Sequence, residues 1–467
     1  MDNRQLLIGW ATRSITPDRP IQLQGQFYER ISERVRDPIT ATALALATDG
    51  DAGNGDQAII VSCDLTHIPD ELQARLRGRI RTRAPDIDTQ KVFLAATHTH
   101  TAPVMREGFY PDPPEGVMRP PEYVAFLLDR LTEVVIAAWQ ARRPGGVSWA
   151  LGHAALGFNR RVVYADGETR MYGHTATPNF RNLEGTCDHG IEMLFCWDRE
   201  SQLTGIVINP ACPSQVVENQ HYISADYWSA VRTRLREKYG DGVHVLPLCS
   251  AAGDQSPRDL VRRGRGEPDM HDEAGLEEKG QRVTRAVDDV HCEARSRIRT
   301  SVPFVHCVER LQLPARPITP ELVETVRLSV AELESKAEEG PTDRILKLRF
   351  HRILDACERR SRDPRYEMEL HVLRLGDVAL ATNPFELFLD YGLRIKAQSK
   401  AVQTFVVQLA GWPGGYLPTQ KALAGGGYGA TITEGPVGPE GGDVLVTRTV
   451  ERINSLWAEV GPQDQGT

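Results

Sequence analysis

The sequence of 467 residues has no stretch that approaches the ~20 consecutive apolar residues of a membrane-spanning helix. It also has no basic run or basic face, and its formal net charge is −8, so nucleic acid is not an expected partner. Its eight cysteines include no Cys-x-x-Cys pair, which is typical of reduced, mostly buried thiols in a chain of this length. The first residues lack the apolar core of a secretion signal. These absences predict a cytoplasmic protein without membrane insertion and leave the oligomeric state open.

Apolar runs alternate with helical patterns over the first third of the chain. The short apolar runs at 59–62 and 92–96 are typical of strands buried on both faces. Residues 69–83 have helical spacing, and 121–139 form an amphipathic helix with proline in its first turn. The alternation predicts an α/β fold with mixed β-sheets and flanking helices.

A β-hairpin is predicted near the middle of the chain. Apolar runs at 190–197 and 203–209 are joined by the polar turn 198–202, so paired residue numbers should sum to about 401. A helix over 225–239 and a strand over 243–248 follow.

The last third predicts a helical hairpin inserted at 318–362 and strands at 372–375 and 378–382. Residues 411–442 are dense in glycine and look too irregular for a regular element, a pattern typical of a functional loop. No internal repeat or sharp linker interrupts the chain, which predicts one domain over residues 1–467.

Two histidines, His98 and His100, follow the strand at 92–96. On an extended segment, side chains two residues apart point the same way, so both imidazoles could share one pocket. Imidazole is a frequent ligand of zinc. The alternative is a pair of polar side chains at a strand end that bond only to backbone.

Glu386 and Ser256 also follow apolar strands. A carboxylate such as Glu386 would be costly if it were buried alone, whereas the alternative is an N-cap or first-turn glutamate of a helix over 387–397. Small residues at 253–257 would let the backbone approach a ligand closely, and Ser256 as a nucleophile would need a base. The alternative for this segment is a plain tight turn.

Together and in order, the motifs resemble those of the catalytic domain of neutral/alkaline (non-lysosomal) ceramidases, zinc amidases that cleave the amide of ceramide. The resemblance covers nearly the whole chain through the segments 9–17, 93–100, 159–160, 223–226, 252–257, 415–416 and 427–430. It implies the fold of that catalytic domain.

The resemblance also implies roles for individual residues. His98, Glu386 and Tyr416 would be metal ligands. The residues that would line the pocket around the scissile group are His100, Arg160, Ser256 and Tyr428. The implied metal is Zn²⁺, with Mn²⁺ or another divalent ion as the alternative.

The sequence departs from the family at several points. Pro213 stands where the family has a second zinc histidine, and a third family tyrosine between Tyr416 and Tyr428 is missing. The immunoglobulin-like C-terminal domain and the secretion signal of ceramidases are not found either. These departures predict a substrate other than ceramide.

The predicted hairpin offers a replacement for the lost histidine. Pairing about its turn would bring His189 beside residue 212, so His189 is predicted as the fourth metal ligand. The alternative is an exposed histidine that precedes a strand. Weaker candidates for the replacement are Glu218, His221 and Asp226.

These observations predict a metal-dependent hydrolase that cleaves an amide in a small or sugar-like substrate. The metal would activate water, His100 would move the proton, Arg160 and Tyr428 would hold or polarise the substrate, and Ser256 would add a hydrogen bond. The alternatives are a metal-dependent esterase or lactonase, a lyase on an acidic carbohydrate, and a non-catalytic binding protein. A pocket rich in arginine and lysine would favour acidic sugars, whereas an apolar channel would favour lipids.

Overall fold

Three β-sheets, of six, four and four strands, surround a shared apolar core in the computed structural model, which describes residues 4–48, 55–336, 340, 342–360 and 364–457. The strands in the first half of the chain are β1 (Arg4–Ser14), β2 (Arg34–Val35), β3 (Thr40–Thr48), β4 (Gln57–Cys63), β5 (Val92–Ala96), β6 (Arg143–Pro144), β7 (Gly146–His153), β8 (Phe158–Asn159), β9 (Arg161–Tyr164), β10 (Thr169–Met171), β11 (Phe180–Leu183), β12 (Gly190–Trp197), β13 (Leu203–Pro210) and β14 (Tyr222–Ile223). The remaining strands are β15 (His244–Pro247), β16 (Gln255–Ser256), β17 (Ser301–Val302), β18 (Phe304–Pro314), β19 (Arg365–Leu375), β20 (Val378–Thr382), β21 (Glu386–Leu387), β22 (Gln403–Val407) and β23 (Tyr416–Leu417).

Among the described residues, ten helices accompany the sheets, and most of the longer ones pack on a sheet face. They are α1 (Leu72–Arg83), α2 (Pro120–Gln140), α3 (Tyr227–Tyr239), α4 (Leu260–Gly264), α5 (Glu273–Ser296), α6 (Pro320–Glu334), α7 (Asp343–Arg360), α8 (Leu389–Gln398), α9 (Gln420–Gly425) and α10 (Pro439–Ser455). Among these helices, none combines the length and the apolar character needed to cross a bilayer.

The first sheet has the order β17-β1-β3-β4-β5, with β6 paired to β1, and α2 packs on it. The second has the order β15-β13-β12-β7 and packs against α3 and α5. The third, β18-β19-β20-β22, packs against α8 and α10. This arrangement confirms the predicted α/β fold with mixed sheets and flanking helices.

Strand β12 shows why its sequence is apolar on both faces. Met193 and Phe195 point toward the helix-covered core, and Leu194 and Cys196 point into the core shared by the three sheets. Burying one such side chain contributes roughly 1.5–3 kcal/mol to the stability of the fold. A strand that is packed on both faces therefore consists mainly of apolar residues.

The predicted hairpin and its register are confirmed. β12 and β13 are antiparallel, with Ile191 opposite Pro210 and Phe195 opposite Ile206. The prediction that 411–442 is too irregular for an element is wrong in part, because β23, α9 and the start of α10 lie there. The Thr419 side chain caps α9 by accepting from the Ala422 amide, which a reading dominated by glycine content overlooks.

Helices α6 and α7 lie within the segment predicted as a helical hairpin and pack against each other. Residues 337–339, 341, 361 and 362 of that segment lie outside the described residues.

All eight cysteines fall within the described ranges and are free thiols. Four of them are buried, three are partly exposed and Cys292 is exposed. The prediction of mostly buried thiols therefore holds for half of them.

Stability should depend on pH through His244 on β15. Its ring stacks on Trp10 at 5.6 Å, and Nδ1 lies 3.0 Å from the Thr12 hydroxyl. Burial, with a smaller contribution from Arg236, lowers the pKa of His244 from 6.5 to about 4. The unfolded chain therefore binds this proton more readily, and stability is lost as pH falls from 6.5 toward 4.

The expected loss from His244 is about 2 kcal/mol between pH 7 and pH 4.5. His244→Phe keeps the stacking but removes the titration, so urea unfolding of this variant should depend less on pH by that amount. Identical pH dependence of the wild-type protein and the variant would contradict the assignment.

Candidate active site

His98 is held in a strained backbone conformation directly after β5. Its φ is 66°, in the left-handed region that a non-glycine residue adopts only when surrounding contacts enforce it. Its amide donates to the Leu65 carbonyl at 2.9 Å. Its Nδ1 lies 2.6 Å from the Thr66 carbonyl oxygen, which can only accept. Nδ1 therefore donates to this carbonyl, and Nε2 is the ring nitrogen left to face the rest of the site.

Glu386 faces Nε2 of His98. Its Oε2 lies 3.4 Å from His98 Nε2. Glu386 belongs to β21, which pairs in parallel with Tyr416 of β23, and its amide donates to the Gly415 carbonyl at 2.9 Å. The alternative of a helix-capping glutamate is wrong, because α8 begins at Leu389 and its N-cap residue is Phe388.

The electrostatics keep Glu386 ionised. Burial raises its pKa, but the charge and hydrogen bond of His98, the charge of Arg160 and a hydrogen bond from Tyr416 lower it to about 2. A carboxylate oxygen and an imidazole nitrogen therefore face each other, and a cation that took the place of the Nε2 proton could bind both.

The residues present fit a zinc-like ion. In a tetrahedral zinc site, bonds of about 2.0–2.1 Å place neighbouring ligand atoms about 3.3–3.4 Å apart, which matches the 3.4 Å between His98 and Glu386. Within the described ranges, no three or more His, Cys, Asp or Glu side chains group so as to hold a metal ion. A third donor would be the Tyr416 phenol, which hydrogen-bonds to Glu386, so the set would comprise one imidazole, one carboxylate and one phenol.

Arg160 ties this group together from the end of β8. It donates to the Tyr172 hydroxyl at 2.8 Å, to the Gly253 carbonyl at 2.9 Å and to the Tyr416 hydroxyl at 3.2 Å. The same guanidinium lies 3.8 Å from Glu386 Oε2. Burial lowers its pKa, but the two tyrosines and Glu386 raise it well above the ordinary value, so Arg160 stays charged.

Close packing of Gly253 against Glu386 gives a testable constraint. A Cβ at 253 would lie 2.3 Å from the Glu386 carbonyl oxygen, so Gly253→Ala must displace β21. We expect weaker metal binding and a loss of stability of about 1–3 kcal/mol, measured by metal titration and urea unfolding.

Gly78→Ala is the matched control for Gly253→Ala, because a Cβ at 78 meets nothing within 4 Å. Unchanged metal affinity in Gly253→Ala would contradict the packing argument.

His100 is part of a second hydrogen-bonded group beside His98, and the two rings lie 4.9 Å apart. Its Nδ1 lies 3.1 Å from Glu218 Oε2, and its Nε2 lies 2.8 Å from the Gln215 amide nitrogen. The other carboxylate oxygen of Glu218 lies 3.1 Å from His271 Nε2. Glu218 therefore orients His100 and does not join the His98–Glu386 pair, and sequence reasoning missed His271.

Ser256 and Tyr428 lie at the edges of the site. Ser256 forms a hydrogen bond with Tyr172, the partner of Arg160. The Tyr428 ring lies 5.4 Å from the Tyr416 ring, and its hydroxyl accepts from Arg349 at 3.3 Å. Both predicted pocket residues are thus connected to the Arg160–Tyr416 group.

Arg161, also missed by sequence reasoning, supports the segment that carries Tyr428. Its guanidinium forms a buried ion pair with Glu184 through bonds of 2.8 and 3.0 Å. It also donates to the carbonyls of Tyr428, Ala422 and Gly426.

His189 does not lie with His98 and Glu386, although the register used to place it is right. Its side chain is exposed, and its ring lies 6.2 Å from that of Phe158. Strand residues two apart share a face, and Ile191 packs into the helix-covered core. In this register, the His189 side chain therefore points away from the space between the sheets.

The segment after β13 does reach the site. The Ser214 amide donates to the Thr97 carbonyl at 3.3 Å, beside His98, and the residue that extends from this segment to His100 is Gln215. The weaker candidates lie elsewhere: His221 is exposed near Glu33, and Asp226 caps α3.

A cavity of about 1200 Å³ lies next to this site, although neither His98 nor Glu386 is among its lining residues. His67, Gly415 and Arg349 are among its lining residues, so it extends beside Tyr416 and Tyr428. Burial, followed by the charge of His98, lowers the pKa of His67 to about 4, so this ring is neutral at pH 7. No motif singled out His67 in the sequence.

Comparison with known proteins identifies the fold. No family model and no curated protein sequence matches the chain. Neutral ceramidase from Pseudomonas aeruginosa has a similar structure, with a TM-score of 0.70 and 17% identity over 97% of this chain and 75% of that one. A ceramidase complexed with C2 is also similar, with a TM-score of 0.69 and 16% identity over 99% of this chain and 78% of that one. The chain therefore has the fold of neutral ceramidase.

Proposed function

We propose that this protein is a metal-dependent hydrolase that cleaves an amide bond in a small or sugar-like substrate. The observation that carries the proposal is the pair of facing candidate ligand atoms, His98 Nε2 and Glu386 Oε2, 3.4 Å apart. With the Tyr416 phenol, these residues would hold a divalent ion, zinc first and manganese second. Such an ion supplies Lewis-acid chemistry, polarising a carbonyl and making water nucleophilic near neutral pH.

His100 is the proposed proton carrier. Glu218 and Gln215 fix its ring beside His98, and His271 holds the other oxygen of Glu218. A general acid–base residue must take a proton from attacking water and deliver it to the leaving nitrogen. A histidine held by a carboxylate next to the ligand pair is suited to both steps.

Arg160 and the tyrosines set the electrostatics. Arg160 keeps a permanent positive charge beside Glu386 and the Tyr416 hydroxyl. We propose that Arg160 and Tyr428 stabilise negative charge that develops on the substrate carbonyl oxygen. Ser256 contributes through Tyr172, by fixing the hydroxyl that accepts from Arg160.

A second candidate, a lyase or esterase acting on an acidic carbohydrate, is favoured by arginines in the cavity, including Arg106 and Arg352. A lyase leaves an unsaturated product that absorbs in the ultraviolet, whereas a hydrolase consumes water and leaves a saturated one. Product analysis therefore separates the two reactions.

The test of the proposed function is a panel of N-acyl amides, esters and uronates offered to zinc- and manganese-loaded protein. We expect turnover of an amide that is lost in His98→Ala and Glu386→Ala. His221→Ala is the matched control, since His221 is exposed away from the site. Turnover that survives both ligand variants would overturn the proposal.

Ceramide should be a poor substrate. The cavity is lined by arginine and carboxylate side chains, including Arg106, Arg352 and Asp70, as well as by apolar ones, and two long alkyl chains would have to cover those charges. Fatty-acid release from detergent-solubilised ceramide should be far slower than from the best amide of the panel. Comparable rates would refute this expectation.

A further inference from the structure

The cavity beside the site is walled on one side by α7, which presents Arg349 and Arg352 to it. Residues three apart in a helix lie on one face, roughly one turn or ~5 Å from each other. Arg349 contacts the Tyr428 hydroxyl at 3.3 Å. Arg352 therefore lies about one helical turn from the arginine that contacts Tyr428, a residue of the proposed catalytic group.

The two arginines differ in what neutralises them. Arg349 forms an ion pair with Glu434 at 3.1 Å. Within the described part of the chain, Arg352 and Arg106, which also lines the cavity, form no ion pair or hydrogen bond. The wall thus presents two guanidinium groups whose donors are available to a ligand.

The charges nearest to Arg352 include other arginines of the cavity wall. Burial, followed by the charge of Arg106, lowers the pKa of Arg352. The charge of Asp70 raises this pKa, and the charge of Arg349 lowers it. Asp70 and Glu107 of the lining are exposed, as are Arg106 and Arg352 themselves, and Asp355, three residues along α7, interacts with a residue other than Arg352. Two neighbouring cations that repel each other in a cavity wall favour a bound anion.

Resting on the proposed function, we propose that the substrate carries an anionic group, a carboxylate or a phosphate, that binds to Arg106 and Arg352 while the scissile bond lies at His98 and Glu386. Guanidinium groups recognise both anions through paired N–H donors. A neutral lipid in the same place would cover these cations without a partner, which is costly. The inference therefore assigns the cavity to an acidic, water-soluble substrate.

The first test measures anion binding without turnover. Glutarate and inorganic phosphate, in separate arms, are titrated by calorimetry into metal-free wild-type protein and into three double variants. His98→Ala with Glu386→Ala removes the proposed ligand pair, and Arg106→Gln with Arg352→Gln removes the proposed anion site. Arg81→Gln with Arg83→Gln makes the same change in net charge on the exposed end of α1.

We expect at least one anion to bind wild type, the ligand-pair variant and the α1 variant alike, with affinity at least about tenfold weaker in the Arg106/Arg352 variant. Stronger binding of glutarate indicates a carboxylate substrate, and stronger binding of phosphate indicates a phosphorylated one. No binding to wild type, unchanged binding in the Arg106/Arg352 variant, or an equal loss in the α1 variant would overturn the inference.

The second test uses two anilides, of glutaric acid and of butyric acid, that differ by one terminal carboxylate. Wild type should prefer the glutaryl compound in kcat/KM, and the preference should disappear in the Arg106/Arg352 variant but persist in the α1 variant. Anion binding at the arginines without turnover of any amide would contradict the proposed function and support the anion site. Turnover of the anilides without a preference for the glutaryl compound would support the proposed function and contradict the anion site.

Discussion

Glu386→Gln is expected to lower amide turnover by at least about 10²–10³-fold, the range typical for removing one preorganised polar group from an active site. Glutamine keeps the shape of the side chain but removes the charge that faces His98 and Arg160. The loss should appear in kcat, because the group acts on the metal and the reacting carbonyl and not on substrate binding alone.

The control for Glu386→Gln is Asp390→Asn, the same acid-to-amide change on α8, where the Asp390 side chain is 61% exposed. It should leave kcat and KM unchanged. Combining His98→Ala with Glu386→Gln should cost little more than either change alone, since residues that act as one unit are not additive. Wild-type kcat in Glu386→Gln would contradict the role proposed for this carboxylate.

Arg161→Met is expected to give the largest loss of folding stability, about 3–5 kcal/mol. Arg161 is fully buried, and its removal leaves the Glu184 carboxylate without its partner and three backbone carbonyls without their donor. Because one of those carbonyls belongs to Tyr428, amide turnover should fall as well. Urea unfolding at pH 7 measures the first effect.

Two further variants separate the causes of that loss. Arg161→Met with Glu184→Leu removes both charges and should recover part of the stability, because the penalty arises largely from an unpaired buried carboxylate. Arg170→Met, at a 62% exposed arginine on the neighbouring strand β10, should change stability by less than about 0.5 kcal/mol. Equal effects at 161 and 170 would refute the argument.

Local patterns were sufficient to predict many of the elements. Strands β4 and β5 are apolar throughout because both of their faces are buried, and α2 begins at prolines that suit a first turn. The hairpin register followed from the short turn alone. By contrast, α5, with 24 residues, was not predicted, since its apolar positions are widely spaced among charged ones.

The site was less predictable, because its contacts join distant parts of the chain. The sequence singled out His98 and Glu386, and the structure brings them together. His189 does not join them, although the register used to place it is right. Strand pairing determines which residues are neighbours, whereas the face of the strand determines where a side chain points. His271, His67 and Arg161 have no local signal, and only the packing of separate elements gives them partners.

Metal content is the most direct measurement of the central claim, that His98 and Glu386 form a metal centre. Elemental analysis of purified protein, before and after loading with zinc or manganese, should give about one transition metal per chain in wild type. The His98→Ala/Glu386→Ala variant should contain none, while His189→Ala should match wild type, because the His189 side chain is exposed outside this pair. Wild-type protein that holds no metal even after loading would contradict the account.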